Sequence, residues 1–456
     1  MIAVTLAWIA DKINAQLSTS SVAEMEVKGV STDTRTMQSG DLFIALKGPN
    51  HNAHEHLYMA IEKGACAVVV SEMVDCPLPQ LRVADTKIAL GDLGAAVKQM
   101  VAPKTVGITG SSGKTTVKEM VTAILSVRGK VLSTAGNFNN DIGVPLTLLR
   151  LEAQHEYAVI EMGANHLGEI AYTTNLVKPD VATIVNAAAS HLEGFGSLFG
   201  VARAKSEIFK GLDETGTAIL NCDSQFFEYW QGKTSHLPSL CFSPDSQNGD
   251  YWASDVTMRA DGCAEFELHA PSGKAAIRLN IPGTHNVGNA LVAAALAIAV
   301  GASLTDVEQG LFNMREVSGR LNVKRLSDHL LLLDDTYNAN VASVNAAIDL
   351  LGNYEGRKIL VLGDMAELGD KARYYHEQVG EYAKTKQIDY LFSLGVLSQC
   401  ASAVYEQQGE HFTERDKLLS HLRALLTEAE QNTTILIKGS RSSKMELVVK
   451  ALEQSC

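Results

Sequence analysis

Gly110, Ser111, Ser112, Gly113, Lys114, Thr115 and Thr116 form an unbroken run of glycine, hydroxyl and lysine side chains. Such a run suits an anion. Main-chain N–H groups of a glycine-rich turn converge on a phosphate, a following helix adds partial positive charge, and Lys114 adds a full one. Thr115, next to the lysine, stands where a hydroxyl ligates Mg²⁺. The common spacing G-x-x-x-x-G-K-[ST] requires glycine at the position of Ile108, so this loop, flanked by Gly107 and Gly110, is a shorter variant. Further along, Glu161 closes the apolar run YAVIEMG, where a strand-end carboxylate reaches a metal held by such a loop. The bland alternative is a residue that merely solubilises a strand end. His191 and Glu193 follow VATIVN, and neutral imidazole ligates divalent ions. Lys205 falls on the next helical stretch, where a lone lysine usually faces water. His51, His54 and His56 have a spacing that could hold a metal, but no cysteine or carboxylate grouping supports it.

The elements that must position these groups alternate. Between 86 and 316, TVGIT, VLST, YAVIEMG, VATIVN and TAILN are short β-rich runs separated by helical segments. Alternation predicts parallel strands with crossover helices and ligands at the strands' carboxyl ends. Residues 251–281 are more extended and predict added antiparallel strands, followed by IPGTHNVGNALVAAALAIAVG. That helix is apolar on nearly every face, which places it between layers. From 317 to 456 the alternation restarts with LLLLDDTY, KILVLGDM, DYLFSLG and TILIKGS, a second doubly wound unit. Residues 1–85, with DLFIAL and ACAVVVS, predict a small α/β unit. The fold expected is α/β in three domains: a small N-terminal unit, a central P-loop unit with a mainly parallel sheet, and a C-terminal Rossmann-like unit. A chain of 456 residues fits about three domains.

Composition narrows the class. Hydrophobic residues make up 46% and charged ones 20%, ordinary for a globular protein. A net charge of −13 argues against nucleic acid as a partner. The seven cysteines are scattered and never spaced C-x-x-C, so a disulfide framework or zinc site is not expected and a reduced cytoplasm fits. The start, MIAVTLAWIADKINAQL, is interrupted by Asp11 and Lys12 and predicts an amphipathic helix rather than a signal peptide. No apolar run approaches ~18 residues, so no membrane span is expected.

TGSSGKTT, EMGA, SHLEGFGS, AKSEIF, GTHNVGNA, SGR and DDTYNAN occur in that order, and the ordered set resembles the Mur ligase family. These are ATP-dependent amide-forming enzymes of peptidoglycan precursor synthesis. STDTR, STAGNFNNDIGVP, LGDMAELG and KGSR resemble the branch that adds D-alanyl-D-alanine to a UDP-N-acetylmuramoyl-tripeptide. The DNPR sequence typical of the branch adding a diamino acid is absent from the chain.

The resemblance implies roles residue by residue. Lys114 and Thr115 hold the ATP phosphates and Mg²⁺. Glu161 and His191 serve two metal positions, and Lys205 matches a family lysine that is carbamylated into a metal ligand. Asn286 and Asn289 lie on the adenine side, Arg320 approaches the γ-phosphate from the C-terminal unit, and Asp335 meets the ribose. Ser31, Asp33 and Arg35 belong to the uridine diphosphate site. Asn137, Asn139 and Asn140 cradle the sugar-nucleotide phosphates, and Tyr337, Asn338 and Asn340 meet the incoming dipeptide. The family pattern has proline where Val341 stands, and Asp-Gly-His where Asn52-Ala53-His54 stands. The resemblance further implies a cytoplasmic monomer acting on small molecules, with neither nucleic acid nor membrane as partner. Two other readings share the phosphate loop: folylpolyglutamate synthase, against which STDTR and the asparagine-rich loop argue, and a nucleotide switch, which would leave the third unit without a task.

Overall fold

The computed structural model describes residues 1–48, 51–190, 192–314, 319–427 and 431–454. The central region is a nine-stranded sheet. Its order is Val131–Ser133, Tyr157–Glu161, Lys104–Thr109, Val181–Ile184, Thr217–Asn221, Ser239–Ser243, Tyr251–Met258, Cys263–Ala270 and Gly273–Pro282. Every pairing from the Val131 strand to the Tyr251 strand is parallel, and the two beyond are antiparallel, as the extended stretch 251–281 implied. The strands Tyr157–Glu161 and Val181–Ile184 are buried throughout, which is why they read as continuous apolar runs rather than alternating ones.

One face of this sheet carries the helices Lys114–Ser126 and His285–Ala299, which pack on each other. The second is the all-round apolar helix of the sequence. Residues Ala290–Ala297 are completely buried, because the helix is enclosed by the first helix on one side and several strands on the other. Alanine and glycine let these layers approach closely.

The C-terminal region is a six-stranded sheet in the order Asn322–Ser327, Leu330–Asp335, Thr433–Lys438, Arg357–Gly363, Tyr390–Leu394 and Gly409–Phe412. Only its first pair is antiparallel. The two edge strands, NVKRLS and GEHF, gave no apolar run to read, since edge strands bury little. The N-terminal region holds a five-stranded sheet, Gln16–Leu17, Gln80–Arg82, Ala67–Val70, Leu42–Ile44 and Val30–Ser31.

The expected amphipathic N-terminal helix is present but short, Leu6–Lys12. The Thr5 hydroxyl caps it by accepting the Trp8 N–H at 3.2 Å, and Asn14 in the left-handed region (φ 49°) stops it. Leu6 and Ile9 are its buried face. Among the described residues no helix is long and apolar enough to cross a membrane, and Cys66, Cys76, Cys222, Cys241, Cys263 and Cys400 are free thiols.

Candidate active site

The strand Lys104–Thr109 runs into the turn 110–113, and Gly113 adopts φ 77° before the helix Lys114–Ser126 begins. A side chain at Gly113 would also strike Asn289 Oδ1 at 2.8 Å, so glycine is required there twice over. No side chain caps this helix. Its first-turn N–H groups are therefore available to an anion, which is the arrangement that the glycine-hydroxyl run predicts.

The turn is braced by Asn186, at the end of the neighbouring strand. Its Oδ1 accepts the N–H groups of Ser111 and Ser112 at 3.1 and 3.0 Å, and its Nδ2 donates to Ser112 Oγ at 3.0 Å. Ser111 Oγ donates to the Ala188 carbonyl at 3.1 Å. Asn186 was not singled out in sequence. The available signal is its place as the last residue of VATIVN, one strand over from the loop.

Lys114 Nζ donates to the Gly110 carbonyl at 2.8 Å, folded back over the turn. Burial pushes its ammonium below the usual lysine range, Glu161 opposes that shift, and Arg320 adds to it. Thr115 Oγ1 donates to Glu161 Oε2 at 2.9 Å. Glu161 is itself buried, with Asn139 Nδ2 donating to its other oxygen at 2.8 Å. A hydroxyl and a carboxylate so placed are hard oxygen donors of the kind Mg²⁺ takes. Arg320 Nη2 donates to Thr115 Oγ1 at 3.2 Å, and the guanidinium lies over the Tyr337 ring, 4.1 Å from its centroid. The Nε of Arg320 is buried without a partner. That orphaned donor beside the phosphate turn is what a phosphate oxygen would satisfy.

Between the two sheets lies a cavity of about 570 Å³. Ser112, Gly113 and Thr116 form one end, Asn286 and Asn289 one wall, and Arg320, Asp335 and Lys438 the opposite wall. Asn286 Nδ2 donates to the Pro282 carbonyl at 2.7 Å, and Asn289 Nδ2 to Asn286 Oδ1 at 2.8 Å. Asp335 is ion-paired with Lys438, whose Nζ also donates to the Asn338 carbonyl at 2.9 Å. Burial lowers the basicity of Lys438, and Asp335 restores part of it. Lys438 opens the KGSR run, and the apolar strand ILIK that it closes is the sequence cue to its burial.

Lys205, on the helix Leu198–Ser206, is almost wholly buried. No hydrogen bond or ion pair among the described residues engages its amine. Burial, with the like charge of Lys114, pushes it well below the usual lysine range. His191 lies outside the described residues. Among the described residues no three His, Cys, Asp or Glu side chains come together as a metal-binding group.

Other candidates stand elsewhere or engage differently. Asn340 caps the helix Val341–Gly352 in a capping box with Ser343, and its Nδ2 donates to the Ser111 carbonyl at 3.2 Å. Val341 opens that helix without disturbing the cap. Asn338 turns onto the Ala339 N–H, and Asn140 accepts the N–H groups of Ile142 and Gly143, while Asn137 is exposed. Ser31, Asp33 and Arg35 lie at the end of the N-terminal strand Val30–Ser31 and do not line the cavity. Arg35 grips Asp33 through a 2.7 Å ion pair and holds its carboxyl below the usual range. In the N-terminal loop, Asn52 Oδ1 accepts the His54 N–H at 3.2 Å and lies 2.8 Å from His54 Nδ1, while His54 Nε2 accepts the Ser71 N–H at 2.9 Å. Both nitrogens of His54 are thus committed to the fold.

Residues 108–297 match the Mur ligase middle domain, and residues 319–441 match the Mur ligase glutamate ligase domain. Across 455 residues the chain is 48% identical to the UDP-N-acetylmuramoyl-tripeptide--D-alanyl-D-alanine ligase of Escherichia coli, covering 100% of this chain and 99% of that one. The chain belongs to the Mur ligase family. As a Mur ligase it superposes on a crystal structure of MurF from Acinetobacter baumannii with a TM-score of 0.94, at 37% identity and 99% coverage of both chains. It is also similar to the MurF ligase of Thermotoga maritima solved in complex with ADP, with a TM-score of 0.81 at 26% identity, covering 93% of this chain and 97% of that one. The three-sheet architecture of this Mur ligase is therefore that of solved relatives along its whole length.

Proposed function

We propose that this chain joins D-alanyl-D-alanine to the free carboxylate of a UDP-N-acetylmuramoyl-tripeptide at the expense of ATP, releasing ADP and phosphate. The observation that carries this reading is Arg320: it crosses from the C-terminal region to Thr115 in the phosphate turn, in a chain 48% identical end to end with a ligase of that activity. Peptidoglycan precursor synthesis in the cytoplasm, by a monomer acting on small molecules, is the setting that this function implies.

A carboxylate is a poor electrophile. Breaking the bond between the γ-phosphorus and the β–γ bridging oxygen, and forming one to a carboxylate oxygen, gives an acyl phosphate and ADP. Lys114, Arg320 and the uncapped helix start supply positive charge where the phosphoryl group moves. Thr115 and Glu161 would hold one Mg²⁺, which when bound neutralises phosphate charge. A second ion would draw on His191 and Lys205. The neutral amine favoured at Lys205 is the form that adds carbon dioxide: an N–C bond forms, a proton leaves, and a hard-oxygen carbamate results. The dipeptide's amine then attacks the acyl carbon, phosphate departs with the bonding electrons, and the amine proton is lost. Closure of Arg320 and Asn340 over the turn keeps water from the acyl phosphate.

The adenosine end would lie against Asn286, Asn289 and Asp335, which line the same cavity. Ser31, Asp33 and Arg35 would take the uridine diphosphate, with Asn137, Asn139 and Asn140 toward its phosphates. Tyr337, Asn338 and Asn340 would meet the dipeptide. The division 1–85, 86–316 and 317–456 is supported by each of the three large sheets lying inside one segment.

The test varies the UDP-tripeptide and D-alanyl-D-alanine independently, with ATP and Mg²⁺ present, and follows phosphate release and product mass. Phosphate release dependent on both substrates, with a pentapeptide product, is expected. Acceptor-independent hydrolysis would support the nucleotide switch instead, and turnover with a folate and glutamate in place of the two substrates the folylpolyglutamate synthase.

A further inference from the structure

A second cavity, of about 320 Å³, lies on the central region and shares no lining residue with the nucleotide cavity. Its walls carry Arg203, Lys210, Lys233 and His236, with Tyr229 beside them and Phe209 at the buried floor. We propose that it is a second anion site, which takes a small molecule bearing several phosphate or carboxylate groups.

The argument is one of charge and commitment. The chain has 52 acidic against 39 basic side chains, so cations gathered around one hollow run against its overall balance. No ion pair among the described residues engages Arg203, Lys210, Lys233 or His236; Lys233 Nζ only overlies the Tyr229 ring, 5.6 Å from its centroid. Elsewhere on the chain cations do find carboxylates, as Arg259 does with Asp261 and Lys274 with Glu267. The lone carboxylate of the cavity wall, Glu207, is buried and already spent: its oxygens accept the Gly168 N–H at 3.0 Å and the Ala171 N–H at 3.2 Å, at the start of the helix Glu169–Val177.

The helix dipole explains part of this placement, since Arg203 and Lys233 occupy the last turns of the helices Leu198–Ser206 and Phe227–Lys233. Each helix end offers about half a negative charge. Three fixed cations against two such ends and the Glu207 carboxylate leave the hollow positive by about one charge. Dipole preference also acts on each helix separately and gives no reason for both ends and Lys210 to face one cavity. Arg203 supplies a planar fork suited to phosphate or carboxylate oxygens, and the lysines supply mobile point charges. Arg203 and Lys205 share one helix, so the occupant sits behind the reaction centre.

Isothermal titration of the full-length protein saturated with ADP tests the proposal, with inorganic tripolyphosphate as probe in one arm and citrate in the other. Binding of at least one probe is expected, and which arm responds separates a phosphorylated ligand from a polycarboxylate. Arg203→Gln with Lys233→Gln should weaken that binding about tenfold or more, the scale for losing hydrogen bonds to a charged group, and leave ADP affinity within about twofold. Lys210→Gln with His236→Gln, both at exposed positions, gives the same reading if the first pair fails to fold. No binding of either probe to the parent protein overturns the site. So does binding that the folded variants retain in full.

Discussion

The C-terminal region buries Lys438 and the central region Lys118 and Lys205, and of these Lys438 and Lys205 live most differently. Lys438 ends the strand Thr433–Lys438 with a carboxylate and a carbonyl waiting for it, Asp335 and Asn338. Lys205 is equally enclosed, and the charge that bears on it is another lysine, Lys114. Burial disfavours both ammonium groups. Only at Lys438 does an opposite charge answer. The same residue type thus becomes a structural cation in one sheet and a candidate neutral amine in the other. The difference teaches that a buried lysine announces chemistry only when its surroundings decline to pair it.

The largest effect expected comes from breaking the paired lysine. Lys438→Met strands the Asp335 carboxylate and should cost about 3–5 kcal/mol of stability, measured by denaturant unfolding. Adding Asp335→Leu should recover most of it, which would show that the loss lies in the orphaned charge. The unpaired lysine should behave oppositely. Lys205→Ala should lower turnover on the order of 10²–10³-fold, as for loss of a preorganised charge-stabilising group, with little loss of stability and no rescue by bicarbonate. Full activity in that variant would refute the carbamate.

The contact between the two regions should respond next. Arg320→Lys keeps the charge but loses the fork, and should cut kcat by about 10²-fold with a smaller change in the KM for ATP. Equal loss in both would mean that Arg320 serves binding alone.

A buried histidine of the C-terminal region gives the smallest effect. His376 Nε2 accepts the Met365 N–H at 2.9 Å, its Nδ1 lies 2.7 Å from the Ala372 carbonyl, and burial lowers its pKa below 6.5. The unfolded chain then binds the proton more readily. Stability from this group is present above pH 6.5 and falls as pH drops from there through the folded value. His376→Leu should flatten that part of the pH profile, measured by denaturant unfolding across pH.

Much of the fold was legible because buried parallel strands are apolar without interruption. TVGIT, YAVIEMG, VATIVN, ILVLG and TILIK each fall on an observed strand. Edge strands such as Asn322–Ser327 were not, since their partners lie on one side and their other side faces water. The phosphate turn was legible from local composition alone. Asn186 was not, because it meets Ser111 across 75 residues of chain. The resemblance implies a phosphate contact for Asn139; what no local pattern announces is that its Nδ2 donates to the Glu161 carboxylate, where it can orient that oxygen pair.

By itself the sequence determined the alternation of strands and helices, the conformation of the turn at Gly113, and the supply of a lysine and hydroxyls to a phosphate. These are local matters of backbone freedom, side-chain burial and spacing. Only the tertiary structure decided which charges meet. Arg320 reaches Thr115 over 205 residues, and Lys438 reaches Asp335 over 103. Coulomb interactions and desolvation depend on distance and enclosure in space, so a lysine's place in the chain left open whether it would be paired, as Lys438 is, or driven toward neutrality, as Lys205 is.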